Sequence, residues 1–467
     1  MAITPIIKKS LLFFCGMAWY TGNAQNSDDR YAKPLKQVIK EVEQRFHIRI
    51  KYADTMIADK QVTYADWRYR QDAETTLEKI LSPFDLIAKK ESDSVYKLGT
   101  FEYHRWKVED GWAELDRIAG QYNNKTEWET RKADLRSCMI KALQLDLAPI
   151  ALSKPITTEV RKYDGYTVQN IAIEILPGIY VNGSLYKPAK YKGRIPVILS
   201  PDGHWAKQRY RADCQLRCAS LAKMGAMAFS FDLFAWGESL LQFKSEDHRR
   251  SLSMSFQVLG GIRILDYLLA LKDADTTRVG ISGGSGGGTH TALLTALDDR
   301  IKCSAPVASV SSYFYGGCPC ESGMPIHACG GGTDNVEIAA MAAPRPQLVV
   351  SDGKDWTDRM PEHDLSYLKK IYSWYDKSES ISNVHLKEEG HDFGINKRTA
   401  VYEFMAKQLS LDLNLIKNTT GKIDESFVTI EKEPMMYVFG ANAERLPANA
   451  VKGFENAERL FYQLKRN

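Results

Sequence analysis

Thr277-Arg-Val-Gly-Ile-Ser-Gly-Gly-Ser-Gly-Gly-Gly-Thr-His290 holds the pattern that decides the fold. A short β-branched run stops at glycines, a serine stands among them, and the helical run His290-Thr-Ala-Leu-Leu-Thr-Ala-Leu297 follows. This is how a nucleophile elbow reads: a serine on a tight strand-to-helix turn that only small neighbours allow to close. The helix N-terminus behind it favours developing negative charge. G-x-S-x-G occurs twice, around Ser282 and around Ser285. Ser282 would cut the strand short and strand three residues before the helix. Ser285 leaves a full strand and abuts the helix, so Ser285 is the expected nucleophile. A phosphate-binding loop fits poorly, because no Gly-Lys-Ser/Thr follows and no dinucleotide pattern has its acidic partner.

Working outward, the strand rhythm extends over residues 160–412. Candidate strands are Val168–Leu176, Tyr180–Tyr186, Pro196–Ser200, Ala226–Phe231, Arg278–Ser282, Lys302–Val307, Gln347–Val350 and Val384–Glu388, with helices between them, notably Ala212–Met224 and Ser255–Lys272. The alternation predicts an α/β fold, a mostly parallel eight-stranded sheet with helices on both faces. Residues 34–99 read as a separate small α+β domain with its own apolar pattern. Its helix Leu35–Phe46, alternating run His47–Tyr52, second helix Ala73–Leu81 and two short strand-like runs resemble the short N-terminal domain of secretins and TonB-dependent receptors. Residues 100–159 read as a helical linker, and 413–467 as a C-terminal extension packed on the main domain. Residues 1–24 read as a signal peptide: Lys8-Lys9, an apolar run from Ser10 to Thr21, and small residues ending at Ala24. The expected location is therefore periplasmic or secreted.

The 467 residues are 44% hydrophobic and 26% charged, which suits a globular chain of two or three units. The formal charge of +4 falls to +2 once Lys8 and Lys9 leave with an acid-free leader, so nothing favours nucleic acid as a partner. Seven of the eight cysteines lie beyond the leader, an odd count in an exported chain.

A serine hydroxyl needs a base, and the base needs an orienting acid. In folds built on such an elbow these follow in the order serine, acid, histidine. The acid is expected after the seventh strand, where Asp352, Asp355 and Asp358 compete. Asp355 lies beyond the Asp-Gly turn and is preferred. The base is expected in the glycine-flanked turn Glu388-Glu-Gly-His391-Asp-Phe-Gly394, and His391 is preferred to His385, which lies inside a strand. Oxyanion donors are expected from the backbone N–H groups of Gly286 and His204, the latter in Ser200-Pro-Asp-Gly-His-Trp205. Trp205, Glu321 and Arg217 are candidate substrate contacts; Arg209, Arg211 and Arg217 could serve an anionic sugar, but a helix face of solvated arginines is the preferred account of them. The insertion Tyr313–Cys329 suits a cap over the site. Its Cys318, Cys320, His327 and Cys329 have the ligand types for zinc but not the usual spacing. A disulfide within the loop or free buried thiols are the other readings, and the expectation is no metal and no cofactor.

At this point a resemblance becomes specific. Pro201-Asp-Gly-His-Trp205, Gln215 to Gly225, Asp232 to Ser239, Gly283 to Thr289, Ala343-Pro-Arg-Pro346 and Gly390-His391 look like bacterial α/β-hydrolases of the acetyl xylan esterase and dienelactone hydrolase-like group. The resemblance covers about residues 160 to 440 and implies the Ser285, Asp355 and His391 triad. One departure is Asp202, where related enzymes commonly carry histidine. Some relatives are carbohydrate esterases, pectin methylesterases among them. The resemblance thus implies an exported serine esterase acting on an esterified polysaccharide or oligosaccharide. An acetyl ester is slightly favoured, and a methyl ester of a uronic acid is close behind. Serine peptidases and thioesterases share the triad. An envelope protein partner docking on residues 34–99 is the reading of a different class.

Overall fold

The computed structural model describes residues 32–62, 64–84, 86–100, 107–147, 153–314, 318–322 and 325–465. The expected signal peptide lies outside them. Two units separate, Met1–Glu102 and Tyr103–Asn467.

In the smaller unit the helix Leu35–Phe46 repeats apolar residues at helical spacing, and Leu35, Val38, Ile39 and Val42 are all buried. They pack with Leu77, Ile80 and Leu81 of the helix Ala73–Leu81 over a three-stranded sheet, in which Val95–Thr100 lies between Arg49–Lys51 and Leu86–Ser92.

The larger unit is built on a ten-stranded sheet. Its strands are β1 (Ile156–Thr157), β2 (Arg161–Lys162), β3 (Tyr166–Leu176), β4 (Ile179–Pro188), β5 (Ile195–Pro201), β6 (Met227–Phe231), β7 (Ala274–Gly284), β8 (Cys303–Val307), β9 (Gln347–Asp352) and β10 (Ile381–Leu386). Their order is β10-β9-β8-β7-β5-β6-β4-β3-β1, with β2 paired to β3. From β10 to β6 all neighbours are parallel; β4, β3, β2 and β1 run antiparallel to theirs. This is the α/β-hydrolase sheet. The two strands beyond the eight expected are two residues long, too short to leave a period in the sequence.

Alternation along the central strands sends neighbours to opposite faces. Val197, Leu199, Val279 and Ile281 enter one core with the helices Ser251–Leu269 and Gly286–Leu297. Ile198, Cys303, Ala305 and Val350 enter the other, beneath Ala212–Lys223 and Ile395–Leu409. The region read as a linker contributes to the first core. Its helices Val108–Ala119 and Lys125–Ala142 bury Leu115, Ile118, Trp128, Leu135 and Met139 there. Arg131 reinforces that seat with hydrogen bonds of 2.9 and 3.0 Å to the buried Glu337. The C-terminal helix Phe454–Lys465 buries Phe454 and Phe461 against Phe234 and Phe256.

Cys329 forms a disulfide with Cys138, on the helix Lys125–Ala142, and not with a cysteine of its own loop. That helix packs against the turn carrying Cys329, leaving the two Cα atoms 5.7 Å apart. Closing a loop across 191 positions restricts the unfolded chain strongly. Cys138→Ala is therefore expected to lower unfolding free energy by about 2–4 kcal/mol. Urea titration under non-reducing conditions checks this, and an unchanged midpoint would contradict it.

Candidate active site

β7 ends at Gly284 and the next helix begins at Gly286, leaving Ser285 alone on the turn. Its φ of 56° and ψ of −127° lie where a side chain is disfavoured. Three backbone bonds hold it there: Ser285 N–H donates to Val307 O at 3.0 Å, and Gly288 and Thr289 N–H donate to Ser285 O at 2.8 and 3.0 Å. The loop after β5 presses on the same turn. A Cβ on Gly287 would stand 2.5 Å from Pro201 O and 2.7 Å from Asp202 O, so this position admits no side chain without moving backbone.

Ser285 Oγ lies 2.9 Å from His391 Nε2, and His391 Nδ1 lies 3.0 Å from Asp355 Oδ2. The other Asp355 oxygen accepts from Thr357 N–H and Oγ–H at 2.7 and 2.6 Å. Burial works to raise the Asp355 carboxyl, but the bonds from His391 and Thr357 hold it below the usual carboxylate value. Asp352 takes a different partner: Lys397 Nζ sits 3.0 Å from its Oδ1. Burial pushes the Asp352 carboxyl up, with Lys397 acting in the opposite sense. Asp358 accepts a hydrogen bond from Tyr313 Oη. His385 remains a sheet residue, 2.9 Å from Ser351 Oγ. Ser282 is buried in β7 and donates to Ala305 O at 2.8 Å. Of the serine, histidine and aspartate candidates, Ser285, His391 and Asp355 are the three that join in a hydrogen-bonded line of hydroxyl, imidazole and carboxylate. Such a line can draw the serine proton onto imidazole and make the oxygen nucleophilic.

The His391 ring stands between two indoles, with centroids 5.5 Å from Trp205 and 4.1 Å from Trp356. A groove of about 270 Å³ opens beside it, lined by Trp205, Arg211, Asp213, His391, Phe393 and Arg398. Trp205 thus lines the groove. Arg217 does not. It is fully buried, donates to Ser200 Oγ at 2.9 Å and lies over the Phe393 ring at 4.2 Å. The reading of solvated arginines is corrected at the same time. Arg209 is also fully buried, paired with Asp232 and Glu238, and Arg211 grips Asp202 at 2.8 and 3.1 Å. Asp202, the departure from the related pattern, therefore anchors the turn through Arg211.

The His204 ring lies over Gly286, where a Cβ would come within 2.5 Å of its Cε1. His204 Nδ1 is 3.1 Å from Glu321 Oε1, which is also 3.3 Å from Ser285 Oγ. Glu321 thus reaches Ser285 from the insertion. On its other side His204 Nε2 meets His248 Nε2 at 2.8 Å, Cys318 Sγ at 3.3 Å and Cys320 Sγ at 3.2 Å. His327 is elsewhere, 3.1 Å from Asn335 Oδ1. His248, Trp356 and Thr357 were not singled out from the sequence. None belongs to a motif, and only the fold brings them to the serine.

No family model matches the chain. Among curated proteins, Acetyl esterase Axe7A of Xylanibacter ruminicola is 27% identical over 175 residues, 32% of this chain. The match spans 38% of that relative's length. Among solved structures, Methylesterase BT1017 is 48% identical and superposes with a TM-score of 0.74, covering 95% of this chain and 100% of its own. A glucuronoyl esterase from Solibacter usitatus is 17% identical with a TM-score of 0.46, covering 61% of this chain and 94% of its own.

A serine-directed phosphonate is expected to label Ser285, and mass spectrometry of the digested protein locates the adduct. Labelling should survive Ser282→Ala and fall by orders of magnitude in His391→Ala. An adduct on Ser282 would overturn the choice of serine.

Proposed function

The chain belongs to the family of Methylesterase BT1017, in the carbohydrate-esterase group of α/β-hydrolases, and from that premise we propose that it is a serine carboxylic-ester hydrolase acting on an esterified carbohydrate. The hydrogen-bonded line Ser285–His391–Asp355 at the elbow carries this reading. Ser285 Oγ attacks the ester carbonyl while His391 Nε2 takes its proton. Asp355 holds His391 Nδ1–H and stabilises the imidazolium as it forms. The N–H groups of Gly286 and His204 receive the oxyanion. His391 returns the proton to the leaving alcohol, and a water activated by the same imidazole frees the acyl group and restores the serine.

The sequence alone favoured an acetyl ester slightly. Full-length likeness to a methylesterase, against a partial one to an acetyl esterase, turns the preference to a methyl ester. On a carbohydrate that ester belongs to a uronic acid, so the acyl-enzyme carries the sugar and methanol leaves first. Trp205 and Trp356 beside His391 offer apolar faces to a sugar ring. The signal-peptide pattern in the sequence of residues 1–24 and the Cys138–Cys329 disulfide support an exported place of action.

Purified protein incubated with methylated uronic-acid oligosaccharides is expected to release methanol. Little acetate should come from acetylated xylan. Acetate release without methanol would restore the acetyl reading, and neither would refute the esterase assignment. Asp355→Asn should keep the fold and lower turnover by about 10⁴, since the wrong imidazole tautomer is then favoured. Asp352→Asn should cost far less, and the reverse order would exchange their roles.

A further inference from the structure

Three loops that leave the sheet at separate places converge on one small cluster beside Ser285. His204 follows β5, His248 lies in the turn Ser245–Arg249 after β6, and Cys318 and Cys320 lie in the insertion after β8. Each offers one ligand atom, and the four atoms lie within 4.8 Å of one another. His248 Nε2 is 3.1 Å from Cys320 Sγ, completing the contacts already given for His204.

The outer nitrogens of the two histidines are engaged. His204 Nδ1 faces the Glu321 carboxylate at 3.1 Å, and His248 Nδ1 faces Phe234 O at 2.5 Å. Both partners are acceptors, which suits a hydrogen on each Nδ1, and a ring so protonated presents its Nε2 lone pair. The two Nε2 atoms face one another across 2.8 Å, flanked by two sulfurs. Four electron-rich atoms converge with a cation's place at their centre. Carboxylate or carbonyl on the far nitrogen is also how metal-binding histidines are oriented.

We infer that His204, His248, Cys318 and Cys320 bind a zinc ion. Two thiolates and two imidazoles form a closed tetrahedral set suited to structural zinc, which keeps no position open for substrate. Zinc–nitrogen bonds of about 2.0–2.1 Å and zinc–sulfur bonds of about 2.3 Å separate tetrahedral ligands by roughly 3.3–3.8 Å. Four of the six separations here run from 2.8 to 3.3 Å and all six lie within 4.8 Å, so those four admit the ion by opening roughly half an ångström. Two thiolates balance the charge of Zn²⁺, leaving a neutral unit in which His248, Cys318 and Cys320 are buried and His204 half-buried. The ion ties the three loops together and fixes His204 and, through it, Glu321 against the nucleophile turn. This inference stands apart from the identity of the ester, because metal content reads it directly.

The test loads full-length protein with one equivalent of Zn²⁺ under reducing conditions, desalts it and measures metal by mass spectrometry. About one zinc per chain is expected. The Cys318→Ser, Cys320→Ser double variant should lose at least tenfold, while Cys303→Ser, altered in the sheet core, keeps its zinc. Zinc should also raise the melting temperature of the wild type and leave that of the double variant unmoved. Should the double variant fail to fold, Co²⁺ bound to the wild type decides the matter: tetrahedral bands with thiolate charge transfer support the site, and their absence overturns it. Wild-type zinc no higher than in the double variant overturns it too, as does a Cys318–Cys320 disulfide in peptides mapped without reduction.

Discussion

Ser285 is held at a positive φ that an L-residue disfavours by about 1–3 kcal/mol, and the site is arranged around that one constraint. Turning the backbone this way lifts the side chain off the sheet and starts a helix at the next residue. The bonds to Val307 O and from Gly288 and Thr289 keep it there. The end of β5 then packs so closely that Pro201 O and Asp202 O occupy the space a Gly287 side chain would need. The glycine run is thus a packing requirement from both sides: the turn must close, and another loop must lie on it.

With Ser285 fixed, its hydrogen-bonded partners arrive from the ends of neighbouring parallel strands. Asp355 follows β9 and His391 follows β10, the order in which the sheet is laid down. Asp352 and Asp355 show how environment separates two acids three positions apart. One meets the buried ammonium of Lys397; the other meets an imidazole and two Thr357 donors. Each carboxylate is assigned by the group it faces.

The charged interior follows the same logic. Arg209, Arg217 and Lys397 are fully buried, which is tolerable only with partners that offset lost hydration. Asp232, Glu238 and Asp352 supply them, together with the Phe393 ring and Ser200 hydroxyl around Arg217. These groups order the loops behind the groove, and they do so from positions that read locally as surface.

Local patterns carried the elbow, the α/β alternation and the preference for Ser285, Asp355 and His391 as the groups to examine. Strand and helix periods, glycine runs and chain order are properties of neighbouring residues, so they are legible without coordinates. The short strands β1 and β2 were not, because two residues carry no period. The burial of Arg209 and Arg217 depends on acids and rings remote in the chain, which helix spacing cannot reveal. Cys329 found Cys138 for the same reason: a helix read as a linker packs on the insertion. His248 belongs to no motif and gains meaning only where two other loops bring His204, Cys318 and Cys320 to it. The sequence by itself determined which chemistry each segment could bring. Tertiary structure alone decided which of those segments meet, because contact between distant residues is settled by packing the whole sheet and its loops at once.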